Sequence, residues 1–291
     1  MSLKLANPGF GMAVVLSIMV VAIQTLLALP LAILDEVFVR AFQLPRPGLA
    51  QNPLMGAFIN VLALGGPVAL GLYLNRLPFR QAFPLARLPL AQVIAMILTV
   101  VGGDVLLSEA DNLFRSIFPA PQFLVEAYKQ VFTSQGNLVE RIFLLVIVAP
   151  VSEELLFRGL ILRGLLSRHG PVLAVGLSSL LFALVHMNPW QFVSAFWLGV
   201  AFGWFFLRTG SINICILGHA VSNGLFVFFT SLATDIPGLT TAPEAGHVVF
   251  QPWWLDAAGA LMLLGGVACF SLTTRGREPA AQTLSSPPLT P

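Results

Sequence analysis

Residues 142–159 read IFLLVIVAPVSEELLFRG. From Ile142 to Ala149 every side chain is apolar, as in a helix that lies in lipid, and Pro150 follows. Glu153, Glu154 and Arg158 then stand where lipid-compatible residues ought to continue. An ionisable group at a bilayer centre costs about 2.5–3.5 kcal/mol on insertion scales. Three so close together need a local reason, and the rest of the sequence reads as the scaffold that makes them tolerable.

The whole chain shares the character of this stretch. Its 291 residues are 57% hydrophobic and 10% charged, with a mean hydropathy of +0.87. Soluble domains carry about 25% charged residues, so the composition specifies a polytopic, all-α membrane protein. A net charge of +2 with no basic run excludes nucleic acid as the expected partner and leaves the lipid bilayer. Cys215 and Cys269 both fall in apolar segments, which offers neither a disulfide framework nor a cysteine-based zinc site.

Apolar runs at about 11–34, 54–75, 90–107, 138–166, 171–187, 190–208, 212–231 and 252–273 predict about eight transmembrane helices. The first run exceeds the ~7–15 residues of a signal-peptide core and is read as an uncleaved span. Gly170-Pro171, Asn188-Pro189 and Thr209-Gly210 are breakers that join antiparallel helices. Between the third and fourth runs, 108–137 mixes apolar and charged residues around Phe118-Pro119-Ala120-Pro121. It predicts an amphipathic interfacial segment, a connecting element rather than a lid. With the N-terminus inside, nine basic residues (Lys4, Arg76, Arg80, Arg87, Arg163, Arg168, Arg208, Arg275 and Arg277) face the cytoplasm. Five (Arg40, Arg46, Arg115, Lys129 and Arg141) face the other side, which predicts both termini in the cytoplasm.

On a helix, Glu154 and Arg158 lie four apart on one face, in the favourable acid-before-base order. Glu153 is turned ~100° away, so Arg158 neutralises Glu154 while Glu153 faces a polar cavity. Other late spans add His186, at the end of Phe182-Ala183-Leu184-Val185-His186, and the i,i+4 pair His219 and Asn223. At about 1.5 Å per residue, Glu153 lies roughly 20 Å from the cytoplasmic side, His186 roughly 22 Å, His219 roughly 11 Å and Asn223 roughly 17 Å. Tilt brings such depths into one layer. A carboxylate and an imidazole together hold and deprotonate a water, and a second histidine with an amide stabilises an oxyanion. The alternative for Glu153, His186 and His219 is a divalent metal such as zinc, although the HExxH motif is absent. A structural ion pair between helices, with no chemistry, is the plain alternative for Glu154 and Arg158.

These motifs resemble those of the CPBP family, also known by its ABI domain, which comprises intramembrane CAAX prenyl endopeptidases and bacteriocin-processing enzymes. The family pattern EExxxR matches Glu153, Glu154 and Arg158; FxxxH matches Phe182 and His186; HxxxN matches His219 and Asn223. The resemblance covers roughly 138–231 and implies an eight-helix, glutamic-type intramembrane protease. It implies that Glu153 and His186 activate water and that His219 and Asn223 form the oxyanion hole. Glu154, Arg158 and Phe182 would then be supporting residues. The implied substrate is a membrane-anchored protein or peptide, in a bacterial cytoplasmic membrane. The chain then divides into 1–137 (N-terminal membrane helices and interfacial segment), 138–231 (catalytic core), 232–277 (extracytoplasmic loop and last membrane helix) and 278–291 (a disordered, Pro/Ser-rich tail).

Rival readings are weaker in the sequence. A rhomboid-like serine protease rests on Gly176-Leu177-Ser178-Ser179, a chance-level match. An aspartyl intramembrane protease needs a GxGD that Gly102-Gly103-Asp104 does not provide. A proton-coupled transporter relaying through Glu153, His186 and His219 lacks a visible inverted repeat. A proteolytically inactive scaffold has no reason to keep the water-activating residues.

Overall fold

The computed structural model describes residues 8–45, 47–122, 125–126, 138–231, 236–241 and 248–276. Within them the chain forms helices α1 (Phe10–Phe42), α2 (Pro53–Asn75), α3 (Phe79–Ala82), α4 (Leu90–Ile117), α5 (138–166), α6 (Pro171–Leu184), α7 (Pro189–Thr209), α8 (Ile212–Ser231) and α9 (Trp253–Thr273). No strand occurs among the described residues. The ends are set by local chemistry. Asn52 and Asn188 cap α2 and α7 with their side-chain oxygens, each followed by proline at the first helical position. α7 stops at Gly210, whose φ of 65° is the left-handed conformation glycine adopts freely.

Among the described residues six helices are long and apolar enough to cross a membrane: α1, α2, α4, α7, α8 and α9. This is an all-α membrane protein. The expected fourth and fifth spans are of a different kind. α6 has 14 residues, about 21 Å, which is short of a ~30 Å hydrocarbon core. α5 carries the charged cluster and changes hydrogen-bond register along its length. It is α-helical at Leu138–Ile142, π-helical at Phe143–Val148, α-helical at Ala149–Glu154, π-helical at Leu155–Leu162 and α-helical again at Arg163–Leu166. Single π-turns are rare and cluster at functional sites.

α4 also departs from expectation. It runs to Ile117, well past the span end expected near 107, because no breaker intervenes before Phe118-Pro119. An i,i+4 pair from Arg115 to Asp111 at 2.6 Å supports its last turns. The first third of the expected interfacial segment is thus a continuation of α4. Residues 123–124 and 127–137 and the Pro/Ser-rich tail lie outside the described residues.

α5 is the axis of the bundle. Leu156, Phe157, Leu160, Ile161, Leu162 and Leu165 are fully buried, and α1, α2, α6, α7 and α8 pack around the helix. Gly159 is required there, since an added Cβ would lie 2.3 Å from the Phe83 ring. The cluster that looked costly in lipid is therefore surrounded by protein. α9 lies outside this group and packs on α4.

The loops sort into two ends. At one, Arg163 donates to the Gln81 carbonyl, Ala86 to Ser211 Oγ and Arg208 to the Ser271 carbonyl. Pro8 and Gly9 sit there too, against Gly164 and Arg168. At the other, Trp190 Nε1 donates to the Phe118 carbonyl, Asn112 to the Gly238 carbonyl and Gln251 N to Glu109.

Candidate active site

Arg158 is buried and held on four sides. It donates to Glu154 Oε1 at 2.7 Å and to the Gly199 carbonyl at 3.1 Å. Its guanidinium lies 4.6 Å from the Phe182 ring centroid and 5.3 Å from that of Phe202. Glu154, equally buried, also accepts from His219 Nδ1 at 2.9 Å. The carboxylate thus gathers a guanidinium from its own helix and an imidazole from α8. Charge-assisted bonds of this kind offset part of the cost of burying polar side chains.

Glu153 is placed differently. Its Oε2 is buried and makes no hydrogen bond. The nearest cationic or imidazole nitrogen is His219 Nε2, at 3.9 Å. His219 therefore stands between the two acids, its Nδ1 on Glu154 and its Nε2 toward Glu153. The ring stacks on Phe202 at 5.2 Å and meets the edge of Phe182 at 5.8 Å.

His186 lies in the turn after α6. Its Nδ1 is 2.7 Å from the Phe182 carbonyl. A carbonyl only accepts, so Nδ1 carries the hydrogen and, in the neutral ring, Nε2 keeps the lone pair. The ring packs edge-on against Phe182 at 5.0 Å. No ion pair joins His186 to Glu153 among the described residues; His186 borders Phe182, Glu153 borders His219, and the Phe182 and His219 rings meet each other. Asn223 donates through Nδ2 to the Leu145 carbonyl at 2.7 Å. α8 thus presents His219 to the acids and Asn223 to the π-helical stretch before them.

The structure adds Asp104 on α4. Its Oδ1 accepts from Ser222 Oγ at 3.0 Å, and its Oδ2 is buried without a hydrogen bond. Ser222 is one turn on from His219, so a third carboxylate borders the same face of α8. The sequence signal was present, a lone acid inside an apolar span. It follows Gly102-Gly103, which lacks the spacing of an aspartyl-protease motif. Ser152 Oγ, 2.6 Å from Asn60 Oδ1, ties the acid-bearing turn to α2.

Glu153, His186 and His219, the alternative metal set, are not grouped as one cluster of ligands. Among the described residues no three His, Cys, Asp or Glu side chains are grouped as metal ligands. One nitrogen of each of the two histidines already faces a protein oxygen.

The site so assembled is a buried Glu–Glu–Arg cluster, a bridging histidine and a second histidine with a free ring nitrogen. Residues 135–225 match the family model described as type II CAAX prenyl endopeptidase, Rce1-like. This part of the chain is similar to Rce1-like CAAX protease domains. The match encloses Glu153, Glu154, Arg158, Phe182, His186, His219 and Asn223, and leaves Asp104 outside. Comparison with curated proteins and with solved structures gave no significant match. Rce1-like proteins are intramembrane proteases, hydrolases of peptide bonds that act on membrane-associated substrates. The chain is an enzyme of that class.

Proposed function

We propose that this Rce1-like domain is a glutamic-type endopeptidase that cleaves a membrane-anchored protein or peptide with water activated by Glu153 and His186. His219 and Asn223 hold the oxyanion. The observation that carries the reading is the inequality of the two glutamates. Glu154 Oε1 accepts from both Arg158 and His219, whereas Glu153 makes no hydrogen bond among the described residues and only approaches His219 Nε2 at 3.9 Å; the Oε2 atoms of both acids are buried without a hydrogen bond. A purely structural ion pair has no use for the second acid.

The reaction follows from the donor and acceptor roles. A water held between the Glu153 carboxylate and His186 Nε2 loses a proton to this pair as its oxygen attacks the scissile carbonyl carbon. The carbonyl π-electrons move to oxygen, and the oxyanion accepts hydrogen bonds from the Asn223 amide and from His219 Nε2–H in the doubly protonated ring. Collapse breaks the C–N bond, and the proton taken from water passes to the leaving amine. Burial among Phe182, Phe202 and the leucines of α5 strengthens each of these electrostatic contacts. Protein groups alone suffice for every step.

The test uses the full-length protein in detergent with membrane-anchored peptides, prenylated and unprenylated. Glu153→Ala and His186→Ala each lower kcat by at least about 10²-fold. Cleavage that persists in both variants overturns the assignment of the pair.

A further inference from the structure

We infer that Pro150 is a positioning residue of this site: by withholding a backbone N–H it leaves the Leu145 carbonyl to Asn223, and so aims the Asn223 amide. The inference rests on the reading of Asn223 as an oxyanion donor and extends it to a residue that touches no substrate.

The register of α5 supplies the argument. Ala149 N–H donates to the Leu144 carbonyl, five residues back. The next bond in that register would run from residue 150 to the Leu145 carbonyl, and residue 150 is proline. A proline has no N–H, and its ring clashes with the carbonyl four residues back in an ordinary α-helix. The π-helical stretch at Phe143–Val148 ends directly before it. The Leu145 carbonyl, skipped by Ala149 and unserved by Pro150, receives Asn223 Nδ2 at 2.7 Å instead. Because a carbonyl only accepts, it also fixes which end of the Asn223 amide is nitrogen. One of the two amide hydrogens is directed at Leu145 and the other is left on the α8 face that carries His219, one turn away.

Replacing Pro150 with alanine removes the device in either register. In the π register the backbone N–H gained at position 150 reaches the Leu145 carbonyl. In the α register Ala149 N–H does so. Asn223 then loses its claim on that carbonyl and its amide is free to turn.

The experiment is a double-mutant cycle on the full-length protein in detergent, with Pro150→Ala, Asn223→Ala, both together, and Asn223→Asp. Thermal unfolding and cleavage of a membrane-anchored peptide are read in parallel. With Pro150 present, Asn223→Ala lowers the melting temperature by about 2–4 °C, as expected for one carbonyl left unpaired. In the Pro150→Ala background the same substitution shifts it by less than about 1 °C. Asn223→Asp, which sets an acceptor against an acceptor, is worse than Asn223→Ala. Pro150→Ala alone keeps the melting temperature and lowers kcat about tenfold at unchanged KM. Additive thermal shifts, an Asn223→Asp no worse than Asn223→Ala, or a Pro150→Ala enzyme with unchanged kcat each overturn the inference. A wild-type protein that cleaves no peptide sinks the hydrolase reading, while the thermal cycle still decides the coupling.

Discussion

At the residue scale the design question is how one carboxylate is left without a hydrogen bond beside another that gathers a guanidinium and an imidazole. Glu154 and Arg158 form a pair four residues apart, with the guanidinium also on the Gly199 carbonyl and between two phenylalanine rings. Removing one partner from such a pair strands the other. Arg158→Leu is expected to destabilise the protein by about 3–5 kcal/mol. Arg158→Lys recovers part of this, because it restores the charge without the planar fork. Chemical unfolding in detergent measures both, and a neutral Arg158→Leu would show that the pair contributes little. The double variant Glu154→Gln, Arg158→Leu is milder than Arg158→Leu alone, since no charge is then buried without a partner. The pair was legible in the sequence because i,i+4 spacing is a property of any helix. The contact of His219 with Glu154 was not, since it joins residues 65 apart across two helices. Nor was the Leu145 carbonyl, which is a backbone atom freed by a change of register.

At the element scale the sequence located the helices well and their lengths less well. Apolar runs mark where chain is compatible with lipid, but a helix continues until something stops it. α4 therefore carries its amphipathic end to Ile117, where Phe118-Pro119 intervenes. The π-helical stretches of α5 left no compositional trace, since leucine, valine and phenylalanine suit either register. The α4–α9 contact is legible only in part, through glycine. Neighbouring Gly265 and Gly266 on α9 look alike in sequence, yet they face different surroundings. A Cβ on Gly266 would meet Thr99 N at 2.5 Å, whereas one on Gly265 meets nothing within 4 Å. Small residues at such seams let backbones approach. Gly266→Ala is expected to lower stability by about 1–3 kcal/mol through overpacking. Gly265→Ala, which gains helix propensity without a clash, is neutral or stabilising by up to about 1 kcal/mol. Equal effects from the two, in parallel thermal melts, would show that α9 is not seated as described.

At the scale of the whole molecule, the two ends of the bundle differ in their number of arginines. The end that gathers Pro8, the 76–89 loop, the close of α5 and the turn between α7 and α8 carries Arg76, Arg80, Arg87, Arg163, Arg168, Arg208 and Arg275. The end that joins Phe118, Trp190, Gly238 and Gln251 holds, among the described residues, the three arginines Arg40, Arg115 and Arg141, interspersed with Glu36, Glu109, Asp111 and Glu140. Basic residues near span ends are retained on the cytoplasmic side, so we propose that the arginine-rich end is cytoplasmic and that the first and last described helices both have an end there. Cys215 and Cys269 both lie within membrane helices, so cysteines introduced at exposed loop positions are read against a low background. Arg87 and Gln122 are both exposed and belong to opposite ends. In intact cells a membrane-impermeant maleimide labels Gln122→Cys, and it labels Arg87→Cys only after permeabilisation. The reverse pattern inverts the orientation, and labelling of both in intact cells rules out a single one. The result also fixes the route of the substrate. His186 sits in the turn between α6 and α7, so the orientation decides on which side of the membrane the histidine end of the site lies. Glu154 and Gly199, joined through Arg158, and His219, which contacts Glu154, lie deeper, within their helices.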